Sequence, residues 1–227
     1  MRLFIPLFNE FWGGDEIVHV LCEKFPDFEY PSNFRFMSVN NGVWPRDLWA
    51  TGVREYIRTL QSQNIVLLLD DYLLTRHVDR TAVHLLSDYM TKDDNILRMD
   101  LSADRLYARG NPINADDIDT CKYIDIISVD GTSYQMSLQC GIFNIRLLSS
   151  VLQDGLNPWE VELHTQPILD AANMKVYGTR QVPVRYINAL GTGTPEGSVN
   201  LKGIKPSIVE RALYNNWIPN SFSILRE

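Results

Sequence analysis

The sequence predicts an α/β domain, a mixed and mainly parallel sheet flanked by helices. Three observations predict it. The first 70 residues alternate strand-like and helix-like stretches, the order in which crossover helices link parallel strands. Residues 65–69, Ile-Val-Leu-Leu-Leu, are too short an apolar run for a membrane span and match a strand buried on both faces. That run ends in Asp70 and Asp71, carboxylates at the end of a strand where α/β sheets bind ligands.

Taken in order, residues 3–8 form a short apolar run ended by Asn9, Glu10, Gly13 and Gly14, which predicts a first strand and a loop. Asp15 is placed to cap a helix to about Lys24, with Ile17, Val18, Val20 and Leu21 as its apolar side. Phe34, Phe36 and Val39 predict a second strand. Residues 40–47 read as a polar, aromatic turn, and Leu48, Val53, Tyr56, Ile57 and Leu60 as the helix that delivers the chain to residues 65–69. A helix follows from Asp79 to about Met90, and then a strand at 96–101. Residues 102–120 have weak periodicity and read as an irregular surface excursion. Asp130-Gly131 predicts a hairpin between strands at 121–129 and 133–138. Residues 142–152 have helical spacing, closed by Gly155. Asn157, Pro158 and Glu160 then make a complete helix opening, which Pro167 bends or interrupts. Val176, Val182, Val184, Tyr186 and Ile187 suggest short strands. Residues 191–203, with four glycines among polar residues, suggest a lid, and 206–217 a last helix.

Composition bounds the function. With 227 residues, 45% apolar and 22% charged, the chain is an ordinary globular one, read as a single domain over 1–227 with its ligand-binding part at about 1–100. The net charge of -7, with no basic run, does not support a broad nucleic-acid footprint. Cys22, Cys121 and Cys140 are odd in number and far apart, which suits buried thiols in a reducing compartment. The amino-terminal apolar run is too short for a signal peptide, and no run approaches membrane-span length, so the cytoplasm is expected.

Candidate chemistry starts at Asp70 and Asp71. Burying an ionised Asp costs several kcal/mol unless it is paired or binds a metal, so the two either cap local structure or hold a divalent cation such as Mg²⁺ or Mn²⁺. Neighbouring strand residues point to opposite faces, so both reach one ion only if the backbone turns there. Glu160 is a candidate catalytic carboxylate but also the reciprocal cap to Asn157; Glu162 has no capping role. His164, one turn beyond Glu160, is a candidate metal ligand or a surface residue. Tyr134, Ser137 and Gln139, where a strand meets a helix, offer donors and acceptors for sugar hydroxyls. Trp44 and Trp49 either stack on a planar group or fill the core. The Gly191–Gly197 stretch lacks the strand and helix of a dinucleotide fingerprint, and no Gly-x-Ser-x-Gly elbow occurs.

Pro6-Leu7-Phe8-Asn9-Glu10 resembles the Pro-x-Tyr-Asn-Glu start of family 2 glycosyltransferases, and Leu69-Asp70-Asp71-Tyr72 resembles the acidic metal motif of the GT-A fold. Residues 134–142 and Asn157-Pro158-Trp159-Glu160-Val161-Glu162 are similar to a group of bacterial and phage glycosyltransferase-like proteins. The resemblance covers about residues 1–165 and implies a GT-A-like, Rossmann-like fold and transfer of a sugar from a nucleotide-sugar donor to an acceptor hydroxyl. It puts Pro6, Phe8 and Asn9 along the base, Asp70 near the ribose and Asp71 at a divalent metal. It places Glu160 or Glu162 as the base, with Tyr134, Gln139 and Trp159 on the acceptor side at about 101–227. The implied acceptor is a glycan, a small molecule or a modified DNA base. The chain departs from the family at Leu69, where the usual first acid stands, which leaves a metal-free, catalytically inactive binding or structural module as the alternative.

Overall fold

The computed structural model describes residues 1–39, 46–132, 134–191, 193–219 and 221–225. It is a mixed α/β structure whose main sheet has six strands in the order β3-β8-β5-β9-β7-β6. The strands are β3 (Asn64–Leu67), β5 (Ile96–Asp100), β6 (Asp116–Cys121), β7 (Ile124–Ser128), β8 (Gly141–Asn144) and β9 (Lys175–Thr179). Only β5 and β9 are parallel neighbours within it; the other pairs are antiparallel. The mainly parallel sheet expected from the early alternation is therefore a mostly antiparallel one.

The physical reason begins at the amino terminus. The stretch expected as a first strand is helix α1 (Phe4–Phe11), because Phe4, Leu7, Phe8 and Phe11 recur at helical spacing and bury one side. Pro6 falls in its first turn, where a missing N–H has no helical partner to lose. The stretch expected as a helix is strand β1 (Val18–Cys22), parallel to β2 (Phe34–Ser38) in a separate small sheet. Its residues alternate, with Val18, Val20 and Cys22 against the larger core and Leu21 against the second. Asp15 caps nothing there. Its two carboxylate oxygens accept from the Arg80 guanidinium at 2.9 and 2.8 Å, which pins the turn before β1 to the first residue of the helix at 80–90.

Helix α2 (Trp49–Ile57) lies where expected and buries Ala50, Val53 and Ile57. Trp49 packs on the second core, whereas Trp44 and most of the expected 40–47 turn lie outside the described residues. β3 is not a central strand. It pairs only with β8, at the sheet edge, and Val66 is 37% exposed. β5 and its neighbour β8 are buried throughout. An aliphatic run reports hydrophobicity and cannot by itself tell an edge strand from a middle one.

β4 (Tyr72–Leu74) leaves the main sheet to pair with β10 (Tyr186–Asn188). Helix α3 (Arg80–Met90) starts at Asp79, whose carboxylate accepts from the Ala82 N–H at 2.9 Å. The β6–β7 hairpin reverses at Lys122-Tyr123, with Lys122 at φ 61, rather than at Asp130-Gly131. Residues 134–138 form no strand. β8 occupies the start of the expected 142–152 helix, and α4 (Ile145–Val151) follows it, capped by Asn144. α5 (Pro158–His164) has the full capping box of Asn157 and Glu160. Pro167 falls in the first turn of a new helix, α6 (Gln166–Ala171). The glycine-rich 191–203 stretch is not simply a polar lid: it contains β11 (Ser198–Asn200), parallel to β12 (Ser223–Leu225), with Val199 and Leu201 buried. Helix α7 (Pro206–Tyr214) closes the larger core, which joins residues from Leu3 to Ile218. Among the described residues no helix is long and apolar enough to cross a membrane.

Candidate functional site

The site is built at the carboxyl end of β5. Two residues apart on a strand share a face, so Arg98 and Asp100 lie side by side, and both are fully buried. Arg98 donates to the Asp100 carboxylate at 2.9 Å, to Asp104 at 3.2 Å and to the Gln139 carbonyl at 3.3 Å. The turn after β5 wraps back onto the same carboxylate. Asp100 accepts from the Ser102 hydroxyl at 2.8 Å, the Ser102 N–H at 3.2 Å and the Arg105 N–H at 2.9 Å. Arg105 Nε then donates to Asp104 at 3.1 Å. Two guanidinium and two carboxyl groups thus share one network, in which burial pushes the Asp100 carboxyl above the ordinary aspartate range against the pull of Arg98, and Arg98 Nε has no hydrogen-bond partner.

Two glycines on the flanking strands make room for it. A side chain at Gly141 on β8 would come within 3.1 Å of the Met99 carbonyl and 3.2 Å of Arg98 Nε. One at Gly178 on β9 would lie 2.6 Å from the Arg105 Cβ.

Above this floor is a cleft of about 680 Å³. Asp104, Arg105, Thr132, Tyr134, Gln139 and Glu162 line it, with Tyr107 at its edge. Glu162 comes from α5 and accepts from the Leu138 N–H at 2.6 Å. Burial, and then the charge of Asp104, push its carboxyl above the usual glutamate range, against the pull of the Leu138 N–H and Arg98. Burial also raises Asp104, but Arg98 and Arg105 outweigh it and hold that carboxyl below its ordinary value. One cleft therefore presents two carboxyls whose surroundings drive them in opposite directions. Tyr134 sits at φ 57, a conformation that residues other than glycine seldom adopt.

Of the residues nominated from sequence, Tyr134, Ser137, Gln139 and Glu162 meet here. Gln139 also accepts a hydrogen bond from the Tyr186 hydroxyl, and Tyr186 stacks on Tyr72 with ring centroids 4.4 Å apart. Asp71 precedes Tyr72 in a turn closed by the Tyr72 N–H to the Leu69 carbonyl at 3.1 Å. Burial, and then the charges of Asp71, Glu162 and Asp104, raise the Tyr72 hydroxyl, so both acidic regions act on one ring. Asp71 is half-buried, and burial followed by the neighbouring Asp70 charge pushes it up; Asp70 itself is exposed.

The remaining nominations lie elsewhere or do other work. Glu160 Oε2 accepts from the Asn157 N–H at 2.9 Å, which commits it to the cap. Trp159 is 54% exposed on α5, three residues before Glu162. His164, exposed at the end of α5, completes no metal cluster with Asp70 and Asp71, since no group of three His, Cys, Asp or Glu side chains gathers among the described residues. Phe8 is buried under Trp12 and Phe34, and Asn9 is bonded to Asn33 at 2.9 Å; both sit on α1, not at the end of a strand, and Pro6 lies one turn before them.

Sequence reasoning missed Arg98, Asp100, Asp104 and Arg105. The signal was present: a base and an acid at alternate positions inside an otherwise apolar strand, followed within five residues by a second such pair. Comparison of the chain with family models, with characterised proteins and with solved structures returns no match.

Proposed function

We propose that the chain is a glycosyltransferase that moves a sugar from a nucleotide-sugar donor to an acceptor hydroxyl. The observation that supports it best is the convergence of Tyr134 and Gln139, from the loop before β8, with Glu162, from α5, on one open polar cleft in which Glu162 is half-buried and pushed above the usual glutamate range. A general base works best with a pKa near the working pH. In this reading the acceptor oxygen attacks the anomeric carbon as its proton passes to the Glu162 carboxylate. The bond from that carbon to the nucleotide diphosphate breaks, and its electron pair leaves with the diphosphate. Gln139, Ser137 and Thr132 orient hydroxyls, with Gln139 held by the Tyr186 hydroxyl and Tyr186 stacked on Tyr72. The GT-A-like arrangement belongs to the same proposal, supported by a mixed sheet whose polar cleft opens beyond the carboxyl end of a buried strand.

A divalent cation at the acidic turn belongs to the same proposal. Burial, and then the Asp70 charge, raise the Asp71 carboxyl, a cost that a cation would relieve, and Mg²⁺ or Mn²⁺ often takes one or two protein carboxylates with phosphate oxygens completing its shell. Asp71, with Asp70 beside it, would hold the ion, and the ion would neutralise charge on the departing diphosphate. A second reading, a binding module without catalysis, is favoured by Leu69 in place of the family's first acid. A DNA acceptor is disfavoured by the net charge of -7 and by the acids in the cleft.

The test is thermal-shift binding of uridine, guanosine, cytidine and thymidine diphosphates and their sugars, each with Mn²⁺, Mg²⁺ or chelator. Metal-dependent stabilisation by one nucleotide, lost in Asp71→Ala, is the expected result. No response from folded protein moves the assignment to the binding module.

A further inference from the structure

The charges around the cleft select among sugars. Arg98 and Arg105 are balanced by Asp100 and Asp104, and Glu162 adds a third acid. Arg98 is fully buried and cannot reach a ligand. Arg105 lines the cleft but is engaged with Asp104 at 3.1 Å and the Thr132 hydroxyl at 3.3 Å. Among the described lining residues it is the only cation. A carboxylate or phosphate on a bound sugar would therefore meet Asp104 and Glu162 with no uncommitted positive group opposite.

A hydroxyl meets no such penalty, because it both donates and accepts. Asp104 presents a carboxylate that accepts, and the half-buried Gln139, whose Oε1 is taken by Tyr186, presents its amide N–H groups, so hydroxyls of a sugar ring can satisfy both. The rim supplies the apolar half of the contact. Tyr107 and Tyr134 line the cleft with 54% and 52% of their surface exposed. The C–H face of a pyranose packs on the electron-rich face of such rings.

We infer that the acceptor half of this cleft takes an uncharged sugar, its hydroxyls read by Asp104 and Gln139 and its ring face laid on Tyr107 or Tyr134. This rests on the transferase reading above and adds the substrate class.

The experiment is calorimetric titration of the full chain, with and without uridine or guanosine diphosphate and Mn²⁺, using two sets of probes. One set is the methyl glycosides of glucose, galactose and mannose with maltose and cellobiose; the other is glucuronate, N-acetylneuraminate and glucose 6-phosphate. The expected result is that at least one neutral probe binds more tightly than every charged one, and that Tyr107→Ala weakens it about fivefold. Asp104→Asn should abolish that binding, and Tyr107→Ala, an exposed side chain, keeps the test valid if Asp104→Asn does not fold. Tighter binding of a charged sugar overturns the inference and leaves the transferase intact. Binding of a nucleotide but of no sugar in either set also overturns it. Binding of neither nucleotide nor sugar overturns both.

Discussion

Two strands of the main sheet lead into acidic residues, and they handle them in opposite ways. Beyond β3, at the edge, Asp70 is exposed and Asp71 half-buried, and the causes acting on Asp71 include no basic neighbour. Beyond β5, in the middle, Asp100 is fully buried and receives four hydrogen bonds, one of them from Arg98. The first arrangement leaves negative charge for a ligand to neutralise. The second neutralises itself and serves as the floor on which the cleft stands. Acids at a strand end are thus two different devices, told apart by whether a base lies on the same buried face.

The largest test of that difference is in stability. Asp100→Ala takes from buried Arg98 one of its two carboxylate partners and leaves the Ser102 and Arg105 N–H groups without their acceptor, and should destabilise the fold by about 3–5 kcal/mol, whereas Asp71→Ala should stay within about 0.5 kcal/mol. Urea-unfolding midpoints measure both, and similar losses would erase the distinction. Next comes Gly178→Ala. Its new methyl would lie 2.6 Å from the Arg105 Cβ, so strand and turn must separate, at about 1–3 kcal/mol. A neutral result would mean that β9 does not fix Arg105.

Glu160→Ala should lose about 1 kcal/mol through the cap of α5 and leave the cleft chemistry alone. A rate loss without a stability loss would return Glu160 to the reaction.

The smallest effect is pH-dependent. The folded-state pKa of Glu162 lies above its unfolded value, so its stabilising contribution is full below the ordinary glutamate range and is lost as pH rises through the folded value. Glu162→Gln should therefore match the wild type at about pH 4 and gain on it by about pH 7. Asp93 runs the other way. Lys175 at 2.6 Å holds its carboxyl below the ordinary value, so Asp93→Asn should lose stability at neutral pH and nothing at acid pH. Parallel profiles for the two variants would contradict both assignments.

Local signals were legible in the sequence. The caps of α3 at Asp79 and of α5 at Asn157 stand where turn chemistry puts them, because one side chain bonding a nearby N–H decides a helix start. Tyr134, Gln139 and Glu162 were nominated each by its own chemistry, and the fold brings them to one cleft. What depends on distant partners was not legible. α1 and β1 exchanged identities because short apolar stretches suit either period, and the packing of Phe8 on Phe34 and the pairing of Val18 with Phe34 decide between them. β3 took the place of β5 for the same reason: pairing with β8 on one side alone sets burial, and no aliphatic count contains that. Arg98 and Asp100 were passed over because a charge in a strand usually marks its exposed face, and only the fold shows both at zero exposure.

The central claim is that Glu162, and not Glu160, is the base in this cleft. It is tested most directly by the rate of nucleoside diphosphate release from the donor that the binding panel selects, for wild type, Glu162→Gln and Glu160→Gln, with donor affinity measured alongside. The account predicts a loss of about 10²–10⁴-fold in kcat for Glu162→Gln with donor affinity unchanged, and a wild-type rate for Glu160→Gln. Wild-type turnover by Glu162→Gln, or equal losses in the two variants, would contradict it.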